Sequence, residues 1–85
     1  MASFIAYIRK EEGSDYGVEF PDVPGCATVG RTVDEARAMA AGALAGHIAI
    51  LESDGETVPV PSSVETLKDD PNRKDAVLIF VDLLP

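Results

Sequence analysis

Residues 32–53 form the one stretch of this 85-residue sequence that has both a helical period and defined ends. Thr32-Val33-Asp34-Glu35 fits a capping box. In that motif the Thr32 hydroxyl accepts the amide of Glu35, and the Glu35 carboxylate reaches back to the Thr32 amide. Val33, Ala36, Ala40, Ala43, Leu44, His47, Ile48 and Leu51 recur at helical spacing and make one apolar stripe. The helix is expected to end near Ser53, with Gly55 as a left-handed cap. Twenty residues at about 1.5 Å each give roughly 30 Å, enough to cross a small sheet. A stripe of that length must be buried, so the rest of the chain has to supply a surface for it.

The flanking segments read as strands. Residues 3–10 alternate Phe4, Ala6 and Ile8 with Ile5, Tyr7 and Arg9. The polar stretch 11–15, with Gly13, marks a turn, and residues 16–20 return with Tyr16, Val18 and Phe20 on one face. Pro21 and Pro24 then remove two backbone donors, and Gly25 is placed to take a positive φ. Residues 26–30 are a third short strand. Beyond the helix, Pro59 and Pro61 keep their neighbours extended, and residues 62–67 suit one helical turn capped by Ser62 or Ser63. Residues 68–74 read as a loop. The last strand, 75–84, contains the unbroken apolar run 76–81, which suits burial on both faces. The order is β-β-β-α-β: an α+β fold with a small, mostly antiparallel sheet and one long helix packed on it.

Charge narrows the function. Fifteen acidic residues against seven Lys and Arg give a net charge of -8, which repels a phosphate backbone and suits a basic partner. The longest apolar stretch, 38–51, is interrupted by Gly42, Gly46 and His47 and is too short to span a bilayer. The N-terminus lacks the basic and apolar regions of a signal peptide, so a cytoplasmic chain is expected. Cys26 is the only cysteine, which excludes an intrachain disulfide; the ordinary role for such a residue is a small buried hydrophobe. His47, alone in the apolar stripe, is a packed or interface histidine rather than a metal ligand.

Residues 16–30, Tyr-Gly-Val-Glu-Phe-Pro-Asp-Val-Pro-Gly-Cys-Ala-Thr-Val-Gly, resemble the signature of HicB-type antitoxins. The resemblance continues through 32–36 and again at 54–62, where Pro59-Val60-Pro61 falls. It implies a unit similar to a truncated RNase H fold and a role in type II toxin–antitoxin systems. The partner so implied is a small basic HicA-type toxin that cleaves mRNA. Many members of the family continue into a DNA-binding segment. This sequence reaches Pro85 just after the last strand, so a single domain without such a segment, and no direct nucleic-acid binding, are expected.

Catalysis is not expected. Hydrolysis on an RNase H-like sheet needs carboxylates holding two metal ions, one of them on the first strand, and residues 3–10 contain no Asp or Glu. No metal or cofactor is called for. Tyr16, Phe20 and Asp22 are the candidate toxin contacts, with Tyr7 a further aromatic anchor. For Asp22 the structural reading, a side chain capping turn amides, is the stronger one. The chain is expected to be a homodimer or a higher homo-oligomer, because one helix covers only one sheet face. Ile79 and Val81 are assigned to that interface. Gly42 and Gly46 join them, since mid-helix glycines cost about 1 kcal/mol each unless another backbone approaches closely. The alternative reading is a solitary homo-oligomeric ligand-binding or scaffold domain that kept the fold without a toxin.

Overall fold

The computed structural model describes residues 2–10 and 12–83. Four strands, β1 (Ala2–Lys10), β2 (Tyr16–Glu19), β3 (Ala27–Gly30) and β4 (Val77–Leu83), make one sheet in the order β3-β2-β1-β4. Every pairing is antiparallel. The connections from β1 to β2 and from β2 to β3 are short enough for hairpins. β4 arrives last and pairs along most of β1, from Ala2 opposite Leu83 to Ile8 opposite Val77.

Helix α1 (Val33–Ser53) lies across one face. The Glu35 amide donates to Thr32 Oγ1 at 3.0 Å, as expected. The reciprocal half of the capping box differs: the Glu35 carboxylate accepts from the Arg31 amide at 3.2 Å, one residue earlier. At the other end Gly55 has φ +72°, with Gly55 N–H donating to Glu52 and Glu56 N–H to Leu51. These two bonds satisfy the last carbonyls in the Schellman arrangement. Ala36, Ala40, Leu44 and Ile48 are buried against Phe4, Ala6, Ile8, Val18, Phe20, Ile79 and Val81. The small residues bring the helix close. A Cβ on Gly30 would stand 2.4 Å from the Ala36 nitrogen, so only glycine fits where β3 meets the first helical turn.

The opposite face is not left wet. After α1 the chain passes Val58, which still packs on the helix side, and returns across the other face. There α2 (Val64–Leu67), capped by Ser63, and a 3₁₀ turn (Pro71–Arg73) cover β1. Ile5, Tyr7 and Leu67 form a second, smaller core with Ala76 and Leu78 at its margin. The expectation that one helix leaves a whole sheet face uncovered is therefore corrected: residues 64–76 cover its centre.

This arrangement also corrects the two β4 residues assigned to an oligomer interface. Ile79 and Val81 point to the helix side and are buried within the same subunit. The apolar run 76–81 alternates after all: Leu78 and Phe80 share the opposite face with Ile5 and Tyr7, and Phe80 is 59% exposed.

Candidate partner-binding surface

The three candidate toxin contacts separate in space. Phe20 is 3% exposed and belongs to the helix-side core, so it supports a surface from beneath and cannot itself touch a partner. Tyr7 is fully buried on the other side. Its hydroxyl donates to Asp70 at 2.8 Å. Burial and that hydrogen bond push its pKa from 10.0 up to about 12. Asp70 is held below the usual aspartate range, first by the Asn72 amide and then by Tyr7.

Asp22 has a structural task of longer reach than a local turn cap. Its carboxylate accepts from the Ser62 amide and from the Ser62 hydroxyl, both at 2.6 Å. It thereby clasps the turn after β2 to the segment that follows Pro61. Gly25, in the same turn, has φ +86°, as its position after Pro24 predicts. Tyr16 alone of the three keeps ring surface available. It lies at the start of β2 with the Lys10 ammonium 5.3 Å from its ring centre, a cation–π distance.

The outer face of α1 is an extended apolar surface. From residue 38 to residue 51 the sequence has no Asp, Glu, Lys or Arg. The outward positions Ala38, Ala41, Gly42, Ala45, Gly46 and Ala49 are all exposed. Met39 at 49% and Ile50 at 62% exposure flank them. A Cβ on Gly42 or Gly46 would meet nothing within 4 Å, so no part of this subunit approaches them. A helix apolar on both sides is ordinarily covered on both sides. Of these residues Gly42 and Gly46 stand out in the sequence, whereas Met39 and Ile50 do not. The signal that locates them is the charge-free run itself, read as exposed rather than as core.

The charges gather at the helix's end. Glu52, Asp54 and Glu56 are exposed around the last turn, which carries no basic residue. Their field adds to the negative end of the helix dipole. The surface is thus a flat apolar strip closed at one end by carboxylates. It offers aliphatic contact and electrostatic attraction for a cationic protein, with the half-buried His47 beside Gly42 and Gly46. Among the described residues, no three His, Cys, Asp or Glu side chains are grouped as metal ligands. Cys26 is buried and its thiol pKa is raised by that burial, the opposite of an activated thiolate. No helix is long and apolar enough to cross a membrane among these residues.

The fold and the sequence find the same relatives. The crystal structure of the Burkholderia pseudomallei antitoxin HicB superposes with a TM-score of 0.88 at 37% identity, over 98% of this chain and 64% of that one. An antitoxin chain from a structure described as the HicA3 and HicB3 toxin–antitoxin complex matches at 0.82 and 30% identity, over 98% and 99%. A 14.9 kDa uncharacterized protein of Haemophilus phage HP1 (strain HP1c1) is 37% identical over 68 residues. The chain spans about half the length of that curated relative, 51%. Residues 4–85 match the family described as HicB_like antitoxin of bacterial toxin–antitoxin system, and the chain belongs to that family.

Proposed function

We propose that this chain neutralises a small, basic, mRNA-cleaving toxin of the HicA type by direct binding, and that the outer face of α1 is the principal contact. The observation that carries the contact is the exposed, charge-free strip from Ala38 to Ile50, ending on Glu52, Asp54 and Glu56. The complex of HicA3 with HicB3, whose antitoxin chain has this fold, supports the kind of partner. Small side chains let a partner come close, so that apolar area is removed from water at about 25 cal/mol per Å². The carboxylates accelerate encounter with a cationic toxin and compete with RNA for its basic surface. Tyr16 is a secondary anchor at the far end of the sheet. The role is binding rather than catalysis, in the cytoplasm, with a protein rather than nucleic acid as the partner; the net charge of -8 supports that preference.

Co-expression with a small basic toxin of the HicA type, followed by co-purification, tests the reading. Ala45→Asp puts a charge into the middle of the strip at an exposed position, so the fold is expected to survive. Loss of toxin capture with an unchanged melting temperature supports the assigned face. Undiminished capture moves the contact elsewhere, and no capture by the unaltered chain favours a scaffold without a toxin.

A further inference from the structure

The last strand is an edge without protection. β4 is seven residues long and its outer side pairs with nothing among the described residues. Soluble proteins blunt such edges with Lys, Pro, a bulge or a short strand. β4 is Val-Leu-Ile-Phe-Val-Asp-Leu and has none of these. The other edge, β3, is only four residues. The two exposed apolar residues of β4 lie on opposite faces: Val77 at 65% on the helix side and Phe80 at 59% on the other.

We infer that β4 pairs antiparallel with β4 of a second copy of this chain, about a two-fold axis at Phe80, making one continuous eight-stranded sheet. Three features select this occupant. First, the strand is self-complementary about its centre. With Phe80 opposite Phe80, Val77 falls opposite Leu83, so apolar side chains meet on both faces, while Ile79 and Val81, buried in their own subunit, lend only backbone to the seam. Second, the only charge, Asp82, falls opposite Leu78 and not opposite its own copy. Two chains of net charge -8 therefore meet along a strand that carries a single charge. Third, a groove of about 320 Å³ at the start of β4 is lined by Ile8, Val77 and Ile79 together with the basic Arg9, Lys10 and Arg37. In this register the second copy's Leu83 comes down beside Val77, at the mouth of that groove. A single pairing thus covers Val77, Phe80 and the groove together. Both α1 helices stay on the same side of the joined sheet, with their outer faces free for other partners. The pairing needs no toxin and is tested without one.

Two variants and one control decide it. Light scattering of the unaltered chain at micromolar concentration is expected to give about 18 kDa, twice the 9.0 kDa of one chain. Phe80→Lys places two ammonium groups against each other at the axis and is expected to give 9 kDa with the melting of the monomer fold intact. Phe80→Cys brings two thiols opposite each other, at a Cα separation of about 4.5–5.5 Å that a disulfide accepts. Air oxidation is then expected to give a covalent dimer. Val29→Cys, equally exposed on the β3 edge at 57%, serves as the control and is expected to remain monomeric on denaturing gels. A mass of 9 kDa that persists on concentrating, or equal cross-linking at residues 29 and 80, overturns the proposal. So does a monomer in which Phe80→Lys abolishes toxin capture, since β4 would then belong to the toxin. Loss of capture through Ala45→Asp alone leaves the pairing untouched.

Discussion

The two faces of the sheet are held by different physics. On the helix side, Leu44, Ile48, Phe4 and Ile8 meet in a continuous apolar core that has no buried polar side chain. On the other side three large residues, Ile5, Tyr7 and Leu67, form a small core. Directed polar contacts hold the segment that covers it: Tyr7 to Asp70, Asp22 to Ser62, and Arg9, itself paired with Glu19 of β2, to the Asn72 carbonyl. The first face depends on area, which is indifferent to pH. The second depends on hydrogen bonds that particular atoms make, so it responds to single-atom changes and to protonation.

The sharpest break in this comparison comes from Leu44→Ala against Leu67→Ala. Leu44 is fully buried under the helix, and its truncation should cost about 3–5 kcal/mol. Leu67 belongs to the smaller core, where the short α2 can settle into the space; about 2 kcal/mol is expected. Chemical denaturation of both variants measures the gap. Equal losses would mean that the two cores are one cooperative unit of even strength.

Gly30→Ala comes next, at about 2–3 kcal/mol, because overpacking forces the backbones apart. The neighbours of the added Cβ are the Ala36 nitrogen and Cα, at 2.4 and 2.6 Å, and backbone cannot rotate away as a side chain can. The variant should lose helix-side packing while the Tyr7–Asp70 hydrogen bond persists. Proton exchange at the amides of α1 and near Asp70, read separately, checks this.

These two effects mark what the sequence makes legible. Strands, helix and caps were readable because period and capping are local: Thr32, Gly55, Ser63 and Gly25 all hold their expected places. The cover over the second face was not, since residues 57–76 have no period to reveal which surface they meet. The alternation within 76–81 was hidden because both sets of residues are apolar, so Ile79 and Val81 looked outward while Phe80, the exposed one, went unnoticed. Phe20 was an aromatic beside a signature turn, and only tertiary packing tells an anchor from a core residue. Gly30 carried no signal, because its constraint comes from the way the first turn of α1 folds back on the end of β3, at Glu35 and Ala36, which residue types alone do not show. At the candidate surface, composition gave the glycines, but exposure of Met39 and Ile50 needed the fold.

Tyr7→Phe separates the faces by pH. The variant loses one hydrogen bond, and a melting temperature lower by roughly 5 °C is expected at neutral pH. The Asp70 pKa lies below its ordinary value of 3.8 in the folded chain, so its contribution is present above about pH 4 and fades as pH falls through the folded value. Tyr7 works in the other direction. Its folded value of about 12 exceeds 10.0, so its contribution is complete below pH 10 and is lost between 10 and 12. Removing the hydroxyl should abolish the alkaline loss and flatten the acid one. Melting curves across both limbs, with Leu44→Ala as the pH-indifferent comparison, test whether the second face alone carries this dependence.

The smallest effect has the opposite sign. Gly42 and Gly46 sit in the middle of α1 on its exposed side, where an added Cβ touches nothing in the subunit. Glycine at such a position is less favourable than alanine by about 0.8–1.0 kcal/mol, through backbone entropy. Gly42→Ala should therefore stabilise the isolated chain by about that amount, and Gly46→Ala likewise. Neither residue is needed for the fold, which leaves close approach by a partner as the reason to keep them. A methyl group on each would hold a toxin's backbone further from the helix. The double variant is expected to melt higher and to bind its toxin less tightly. If it melts higher and binds equally well, the glycines are neutral passengers and the contact lies along the Ala38, Ala41 and Ala45 line instead. If it fails to melt higher, α1 already bears a load at those positions in the isolated chain, and the division of labour between the two faces would have to include the helix's outer side.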